Sequence, residues 1–230
     1  MTAPARALVV AAHPDDCEYG CGATVAKWAA DGCEVHVAVL TDGTKGSHDP
    51  GLDAQELAAT RRAEQLEGAR RLGVASVRFL DQVDGESALS EALLETLALL
   101  VRETRAEVVL GHDPWLRYEL HPDHLVAGRA ACDAFFRARE PRFYPERPPP
   151  TSPRLPRELW LFRPQEADHV EDVTATVDAK VEAILCHRSQ FEKPGMEPGA
   201  PEKWIRERMR QAGERAGYEY AEAFKRIETA

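Results

Sequence analysis

The chain has 230 residues, 43% of them hydrophobic and 30% charged, the composition of an ordinary globular protein with apolar material for one α/β-sized core. A formal net charge of −10, with no free-standing Lys/Arg cluster, excludes nucleic acid as the main partner, because neutralising phosphates needs a basic surface. The five cysteines (Cys17, Cys21, Cys33, Cys132 and Cys186) lack the paired spacing of a disulfide framework, and the apolar run after Arg6 is too short for a signal-peptide core or a membrane span, so a reduced, cytoplasmic protein is expected.

In chain order, Ala7–Ala12 is a continuous apolar run, expected as a strand covered on both faces. It ends at His13-Pro14-Asp15-Asp16. Tyr19-Gly20-Cys21-Gly22 leads into a helical stretch, Ala23–Ala30, closed by Asp31-Gly32. A second strand, Glu34–Leu40, stops at Thr41-Asp42-Gly43-Thr44-Lys45. Leu52–Leu72 has helical apolar spacing with Gly73 as its stop. Ser76–Leu80 is a short strand, Ser87–Arg105 a leucine-rich helix, Val108–Leu110 a further strand ending at Gly111-His112-Asp113-Pro114, and a helix opens near Pro122 and runs to about Ala138. Such alternation predicts a Rossmann-like parallel sheet with helices on both faces, a three-layer α/β/α sandwich. The polar clusters at His13–Asp16, Thr41–Lys45, Asp81–Gly85 and His112–Asp113 all fall at the carboxyl ends of strands, where such sheets bind ligands.

Pro141–Pro156 is too rich in proline for helix or strand and reads as a loop, either a linker or a wall of the site. Glu158–Phe162 is expected as a strand and Thr176–Cys186 as a helix. Apolar residues at helical spacing from Ile205 to Ile227 predict a C-terminal helical extension over about 200–228, weakened by Gly213 and Gly217. The whole of 1–230 is read as a single domain with its core at about 6–192.

The chemistry lies in two short motifs. His13-x-x-Asp16 sits in a turn where a buried strand ends, and zinc accepts both imidazole nitrogen and carboxylate oxygen, with three protein ligands and an open position in catalytic sites. His121-Pro122-Asp123-His124 opens a helix and offers the third ligand, leaving the other histidine for substrate. His-x-x-His alone is a weak signal, and His-Pro-Asp-Asp alone is better but not decisive. Together at strand ends of one parallel sheet they point to a metal site.

With Ala12-His13-Pro14-Asp15-Asp16, Leu40-Thr41-Asp42-Gly43, Arg61-x-x-Glu64 leading to Leu72-Gly73-Val74, Asp84-Gly85, His121-Pro122-Asp123-His124 and His187-Arg188-Ser189-Gln190, the chain resembles the LmbE-like or PIG-L-type de-N-acetylases over about residues 6–192. That family includes N-acetylglucosaminyl-phosphatidylinositol deacetylases and the deacetylases of mycothiol and bacillithiol biosynthesis. The resemblance implies His13, Asp16 and His124 as ligands of one zinc per chain, iron(II) being the alternative metal. It implies Asp15 as general base, His121 as the electrophilic or acid partner, and Arg61 and Asp84 facing the sugar. Arg61 is preferred to Arg62 because Glu64 stands three residues on. The expected reaction is hydrolysis of an N-acetyl group from an N-acetylglucosamine-type conjugate by zinc-activated water, in a homo-oligomeric enzyme. Where many relatives carry an acidic residue straight after the two aspartates, this chain has Cys17, with Glu18 one place further.

Asp113 is expected either to hydrogen-bond His121 and fix its tautomer or to serve only the turn before Pro114. Cys17, Cys21 and Cys33 lack a second ligand pair and are read as core; Trp28, Trp160 and His36 are likewise structural, and His48 and His169 are surface. His187-x-Ser189-Gln190 caps a helix or reaches a neighbouring subunit's site. Gly20-x-Gly22 is too short for a dinucleotide fingerprint. The rival readings are a nucleotide-binding Rossmann module, a metal hydrolase for another amide or a phosphoester, and a non-catalytic scaffold.

Overall fold

A computed structural model describes residues 2–149, 155–191, 197 and 199–229. The elements are β1 (Arg6–Ala11), α1 (Asp16–Ala30), β2 (Glu34–Thr41), α2 (Ala54–Leu72), β3 (Ser76–Gln82), α3 (Glu91–Thr104), β4 (Val108–His112), α4 (Pro122–Arg139), β5 (Glu158–Phe162), β6 (His169–Asp172), α5 (Val177–Leu185), α6 (Arg188–Phe191), α7 (Ala200–Ala216) and β7 (Ala221–Glu228). They build one sheet in the order β3-β2-β1-β4-β5-β7-β6. The first five strands in that order are parallel, as the βαβ pattern predicts.

Alternate residues of β1 serve opposite faces, as the period of a strand requires. Leu8 and Val10 pack with Leu97, Ala127 and Ala131 of α3 and α4. Ala7, Val9 and Ala11 pack with Val25 and Trp28 of α1 and Ala183 of α5. Both faces being covered explains why β1 is apolar without interruption. A third cluster joins Ala23, Val177, Val181 and Ile184 to Ile205 and Met209 of α7, which lies outside α5. Trp28 and Trp160 meet edge-on at 4.9 Å within the core, as expected. No helix among the described residues is long and apolar enough to cross a membrane.

The C-terminal expectation needs correction. The helix ends at Ala216, and residues 221–228 form β7, antiparallel to both β5 and β6. The cause is Gly217, whose φ of 80° lies in the left-handed region that terminates helices. Beyond it Ala221, Glu222 and Phe224 are buried while Glu228 is exposed, and Arg226 forks onto Glu158 at 2.8 Å through two nitrogens. The stretch is therefore part of the sheet rather than a helical appendage. β6 spans only His169–Asp172 and carries too little pattern to be read beforehand; His169 is half-buried there, 2.7 Å from Glu171 and packed on Trp160.

The proline-rich stretch is neither a linker nor a wall of the site over its described part. Arg102 of α3 donates to the carbonyls of Arg137, Ala138, Glu140, Tyr144 and Arg147, which ties the segment to the α3–α4 face. Residues 150–154 of that expectation lie outside the described residues.

The edge of the sheet contributes to acid stability. Burial opposes the charged forms of Glu158 and Glu171, yet Arg226 and the Trp160 indole hold Glu158 below its ordinary 4.5, and His169 and Lys27 do the same for Glu171. Depressed folded-state values mean stabilisation that is present above pH 4.5 and lost as pH falls below it. Urea midpoints are therefore expected to hold from pH 6 to about pH 5 and to fall as pH is lowered through 4.5 towards about 3, and by less in Glu171→Gln. An unchanged slope with pH in that variant would show that Glu171 carries none of the effect.

Candidate active site

Strand order reverses around β1, whose neighbours are β2 and β4, and the crevice beyond the carboxyl ends of such a pair is the usual ligand site. The chain leaves β1 through His13-Pro14-Asp15-Asp16, in a tight turn in which Asp16 Oδ2 accepts from the His13 backbone N–H at 2.8 Å. Asp15 has φ 106°, a conformation few non-glycine residues adopt and one that costs on the order of 1–3 kcal/mol. Two side chains of α2 hold it there. Gln65 Oε1 accepts the Asp15 N–H at 2.8 Å, and Arg61 Nη2 donates to Pro14 O at 2.7 Å and to Asp15 Oδ2 at 3.1 Å.

Around this turn lies a cluster of imidazoles and carboxylates. His13 Nδ1 is 3.3 Å from Asp16 Oδ2, and its Nε2 is 3.2 Å from Asp84 Oδ1 and 3.1 Å from Asp123 Oδ2. Asp16 also lies 3.2 Å from His112 Nε2 and 3.5 Å from His124 Nε2. The His124 ring stacks between His112 at 4.4 Å and His121 at 4.6 Å. Three groupings bring all their ligand atoms within 4.8 Å of one another: His13, His121 and His124; His13, Asp84, His121 and Asp123; and Asp16, His112 and His124. The expected ligands His13, Asp16 and His124 all lie in this cluster, but no one grouping holds all three: His124 falls with His13 in one and with Asp16 in another, and the packing adds Asp84, His112, His121 and Asp123.

The electrostatics favour a cation. Burial pulls the His13 imidazolium towards neutrality, yet Asp16 and Asp84 push its pKa up to about 11. Burial likewise opposes the Asp84 carboxylate, and His13 brings it down to about 2. Asp16, despite its burial, is held well below the carboxylate range by His112 and His13. His124 goes the other way: burial takes it down to about 4, which keeps its ring neutral and able to ligate. Asp15 is raised to about 7 by burial and by Asp16, against the pull of Arg61. The Nε2 of His112 is buried with no aligned hydrogen-bond partner, a donor atom free for a ligand. Its 3.2 Å approach to Asp16 is close but not directed as a hydrogen bond.

Three expectations change at this level. Arg61, only 3% exposed, gives Nη1 to Gly43 O at 2.9 Å, while its Nε is buried without a hydrogen-bond partner; its Nη2 clamps the Asp15 turn. Arg62 by contrast is exposed and pairs with Asp81. Asp84 is buried, with Oδ1 on His13 and Oδ2 accepting the Lys45 N–H at 2.9 Å, so it too belongs to the cluster rather than to an open subsite. Asp113 accepts the N–H groups of Trp115 and Gln165 at 2.9 and 3.0 Å; it organises a turn and, among the described residues, does not reach His121. His121 caps α4 instead, its Nδ1 accepting the Asp123 N–H at 3.3 Å. In the neutral ring that contact leaves the proton on Nε2.

Further residues support the site, Glu119 and Gln65 without any sequence signal. Glu119 accepts the His121 N–H at 3.0 Å and lies 3.3 Å from His124 Nδ1, close but unaligned. Glu18 is wholly buried and accepts from Gln65 Nε2 at 2.7 Å. His187 is equally buried, 3.7 Å from Glu18. Burial lowers the pKa of His187, but Glu18 raises it overall. Gly68 makes room for this pair, since a Cβ there would meet Glu18 Oε1 at 2.9 Å and His187 Nε2 at 3.2 Å. Glu64 takes both the N–H and the hydroxyl of Ser189, so the two late motifs join inside this chain, behind Asp15. The cysteines form no metal grouping among the described residues, His36 bonds Ser76 at 2.8 Å, and His48 is exposed.

Comparison with known proteins supplies the next constraint. The family model described as PIG-L, GlcNAc-PI de-N-acetylase, matches residues 8–135. Diacetylchitobiose deacetylase of Thermococcus kodakarensis is 30% identical over 221 residues, covering 96% of this chain and 82% of that protein. The solved structure of N,N'-diacetylchitobiose deacetylase from Pyrococcus horikoshii, complexed with an inhibitor, superposes with a TM-score of 0.88 at 32% identity, over 97% of this chain and 84% of that one. The 4-carboxy-2-hydroxymuconate hydratase of Pseudomonas putida superposes with a TM-score of 0.80 at 25% identity, over 99% and 98% of the two chains.

Proposed function

The chain belongs to the PIG-L family of GlcNAc-PI de-N-acetylases, and on that premise we propose that it is a metal-dependent hydrolase cleaving the N-acetyl amide of an N-acetylglucosamine-type conjugate to free amine and acetate. The observation that carries this reading is the placement of Asp15. It is a largely buried carboxylate, its side chain 14% exposed, outside every grouping that could hold a metal; it stands between His13 and Asp16 in the chain, and Arg61 and Gln65 fix it. The names of the two diacetylchitobiose deacetylases support the acetamido-sugar class.

The residues fit a divalent ion, with buried imidazole nitrogens, His112 Nε2 and His124 Nδ1 among them without an aligned partner, beside ionised carboxylates. We assign His13, Asp16 and His124 to hold one zinc per chain, with iron(II) as the alternative. What such an ion supplies when bound is activation of water and polarisation of an amide carbonyl. Asp15 takes a proton from the attacking water onto a carboxylate oxygen. Arg61 keeps that carboxylate turned into the site through its 3.1 Å contact. His121, with its proton on Nε2, donates to the carbonyl oxygen as negative charge grows there, a contribution typically of about 3–4 kcal/mol. The departing nitrogen is protonated by Asp15 or His121.

One observation favours a second reading: the hydratase shares this fold at 25% identity, so water addition to a carbon–carbon double bond is a reaction such a scaffold can host. The two readings separate on the product. Zinc-reconstituted protein incubated with a panel of N-acetylglucosaminides is expected to release primary amine, to stop after chelation and to recover with zinc or iron(II). Absence of amine from every panel member, at one metal per chain, would refute the deacetylase reading and direct attention to hydration.

A further inference from the structure

A cleft of 340 Å³ opens beside Asp16 and is walled on its far side by α7; Tyr19, Trp204, Arg208 and Met209 line it together with Arg163, the residue that follows β5. Its size is at the lower end of small-molecule sites, about 300–1,000 Å³. Trp204 is 49% exposed, and Tyr19 meets it edge-on with ring centroids 6.0 Å apart. An exposed indole braced from the side offers a flat apolar face, to which the C–H face of a sugar ring can pack.

The charges in this cleft are unusual for an acidic chain. Of the other arginines on α7, Arg206 pairs with Asp178 and Glu202 and Arg210 with Glu207 and Glu214, while Arg215, in the last turn, lies outside the cleft lining. Arg208 has no carboxylate partner among the described residues, and its guanidinium lies over the Trp204 ring at 5.0 Å. Arg163 has a single carboxylate, Glu119, at 3.8 Å, and that oxygen is already shared with His124. Lys180, the third cation of the lining, is committed to Glu222 and the Tyr19 carbonyl. Two guanidiniums therefore line one cleft with one carboxylate partner between them, Glu119; Asp16, the carboxylate that also lines it, is engaged by His13, His112 and His124. Guanidinium forks match carboxylate and phosphate oxygens in pairs, and stacking on an indole orients the fork.

We propose that this cleft is an anion subsite, in which Arg208 and Arg163 bind a carboxylate or phosphate carried by the substrate remote from its amide, while Trp204 packs on the ring that carries it. The inference rests on the deacetylase reading for the position of the amide, but the charge selectivity can be read by binding alone.

Calorimetric titration of the zinc-loaded protein with N-acetylglucosamine, N-acetylglucosamine 6-phosphate and N-acetylmuramic acid tests it. At least one of the two anionic probes is expected to bind about tenfold more tightly than the neutral sugar, the value of one charge-assisted hydrogen-bond pair; which of them does so tells phosphate from carboxylate. Arg208→Gln should bring the favoured probe down to the affinity of the neutral sugar, and Trp204→Ala should weaken all three alike. Equal affinity for the three probes would overturn the proposal. So would a preference that survives Arg208→Gln, since the anion would then be sitting on the metal. Amine release from the glucosaminide panel reports separately on the deacetylase reading: charge-selective binding of these probes with no amine from any panel member would leave the subsite standing and the reaction refuted.

Discussion

Asp15→Asn is expected to keep its metal and its fold and to lose about 10²–10⁴-fold in amine release, the range that general base catalysis contributes. The substitution is chosen for what it leaves alone. Asparagine tolerates the left-handed conformation that Asp15 adopts at φ 106°, so the turn has no steric reason to move. Its amide oxygen can still accept from Arg61, which keeps Pro14 O and Gly43 O regardless. The backbone N–H remains on Gln65. What disappears is the basic oxygen that receives the proton of water. Metal content and thermal midpoint near those of the parent, together with collapsed turnover, would identify Asp15 as the base. Near-normal turnover at full metal content would remove it from the mechanism and shift attention to Asp84 or Asp123, both of which stand within 3.2 Å of His13. Asp15→Ala is a poorer probe because it also releases Arg61, 3% exposed, from its one carboxylate.

The sequence made part of this site legible and hid the rest for identifiable reasons. His13, Asp15 and Asp16 stand in consecutive turns after an apolar strand, and His121 and His124 open a helix, so strand-end logic places all five near one crevice. Asp84 and Asp113 also fall at strand ends, but the direction of a side chain within a loop depends on which N–H groups lie nearby. For Asp113 these are Trp115 and Gln165, the latter 52 positions away. The sugar role of Arg61 came with the family resemblance, and an arginine on an otherwise charged helix gives no sign of being buried; only the packing of α2 against the turn shows its terminal nitrogens on Gly43 O, Pro14 O and the Asp15 carboxylate. Glu18, Gln65 and His187 meet across separations of 47 residues and more, contacts that no local pattern encodes. His112 was visible only as part of a polar strand end. The C-terminal misreading has a different origin. Ala216 and Tyr220 continue the helical spacing across Gly217, and the alternation of Ala221–Glu228 is too short to compete with it on pattern alone.

Glu222→Ala is expected to destabilise the protein by about 3–5 kcal/mol, the usual cost of breaking a buried ion pair by removing one partner. Glu222 is 5% exposed and Lys180 4%, and their side chains meet at 2.5 Å. The carboxylate has a second duty. Helix α1 departs from helical geometry at Cys21, and the N–H groups of Ala23 and Thr24 beyond that kink donate to Glu222 at 3.1 and 2.8 Å. Lys180 completes the junction by donating to the Tyr19 carbonyl at 2.8 Å on the other side of the kink. One glutamate on β7 thus ties α5 to the segment of α1 that begins at Asp16, so the last strand of the chain supports the first motif of the site. Two further variants separate the contributions. Glu222→Gln retains an acceptor for Ala23 and Thr24 and should recover part of the loss. Lys180→Met combined with Glu222→Leu removes the stranded charge but leaves both N–H groups unpaired, at roughly 1–3 kcal/mol each, so it should remain well below the parent. Full recovery in that double variant would mean that the kink in α1 needs no carboxylate and that the pair acts by charge alone. Urea unfolding midpoints, read with metal content on the same samples, decide between these outcomes and show whether the junction also holds Asp16 in place.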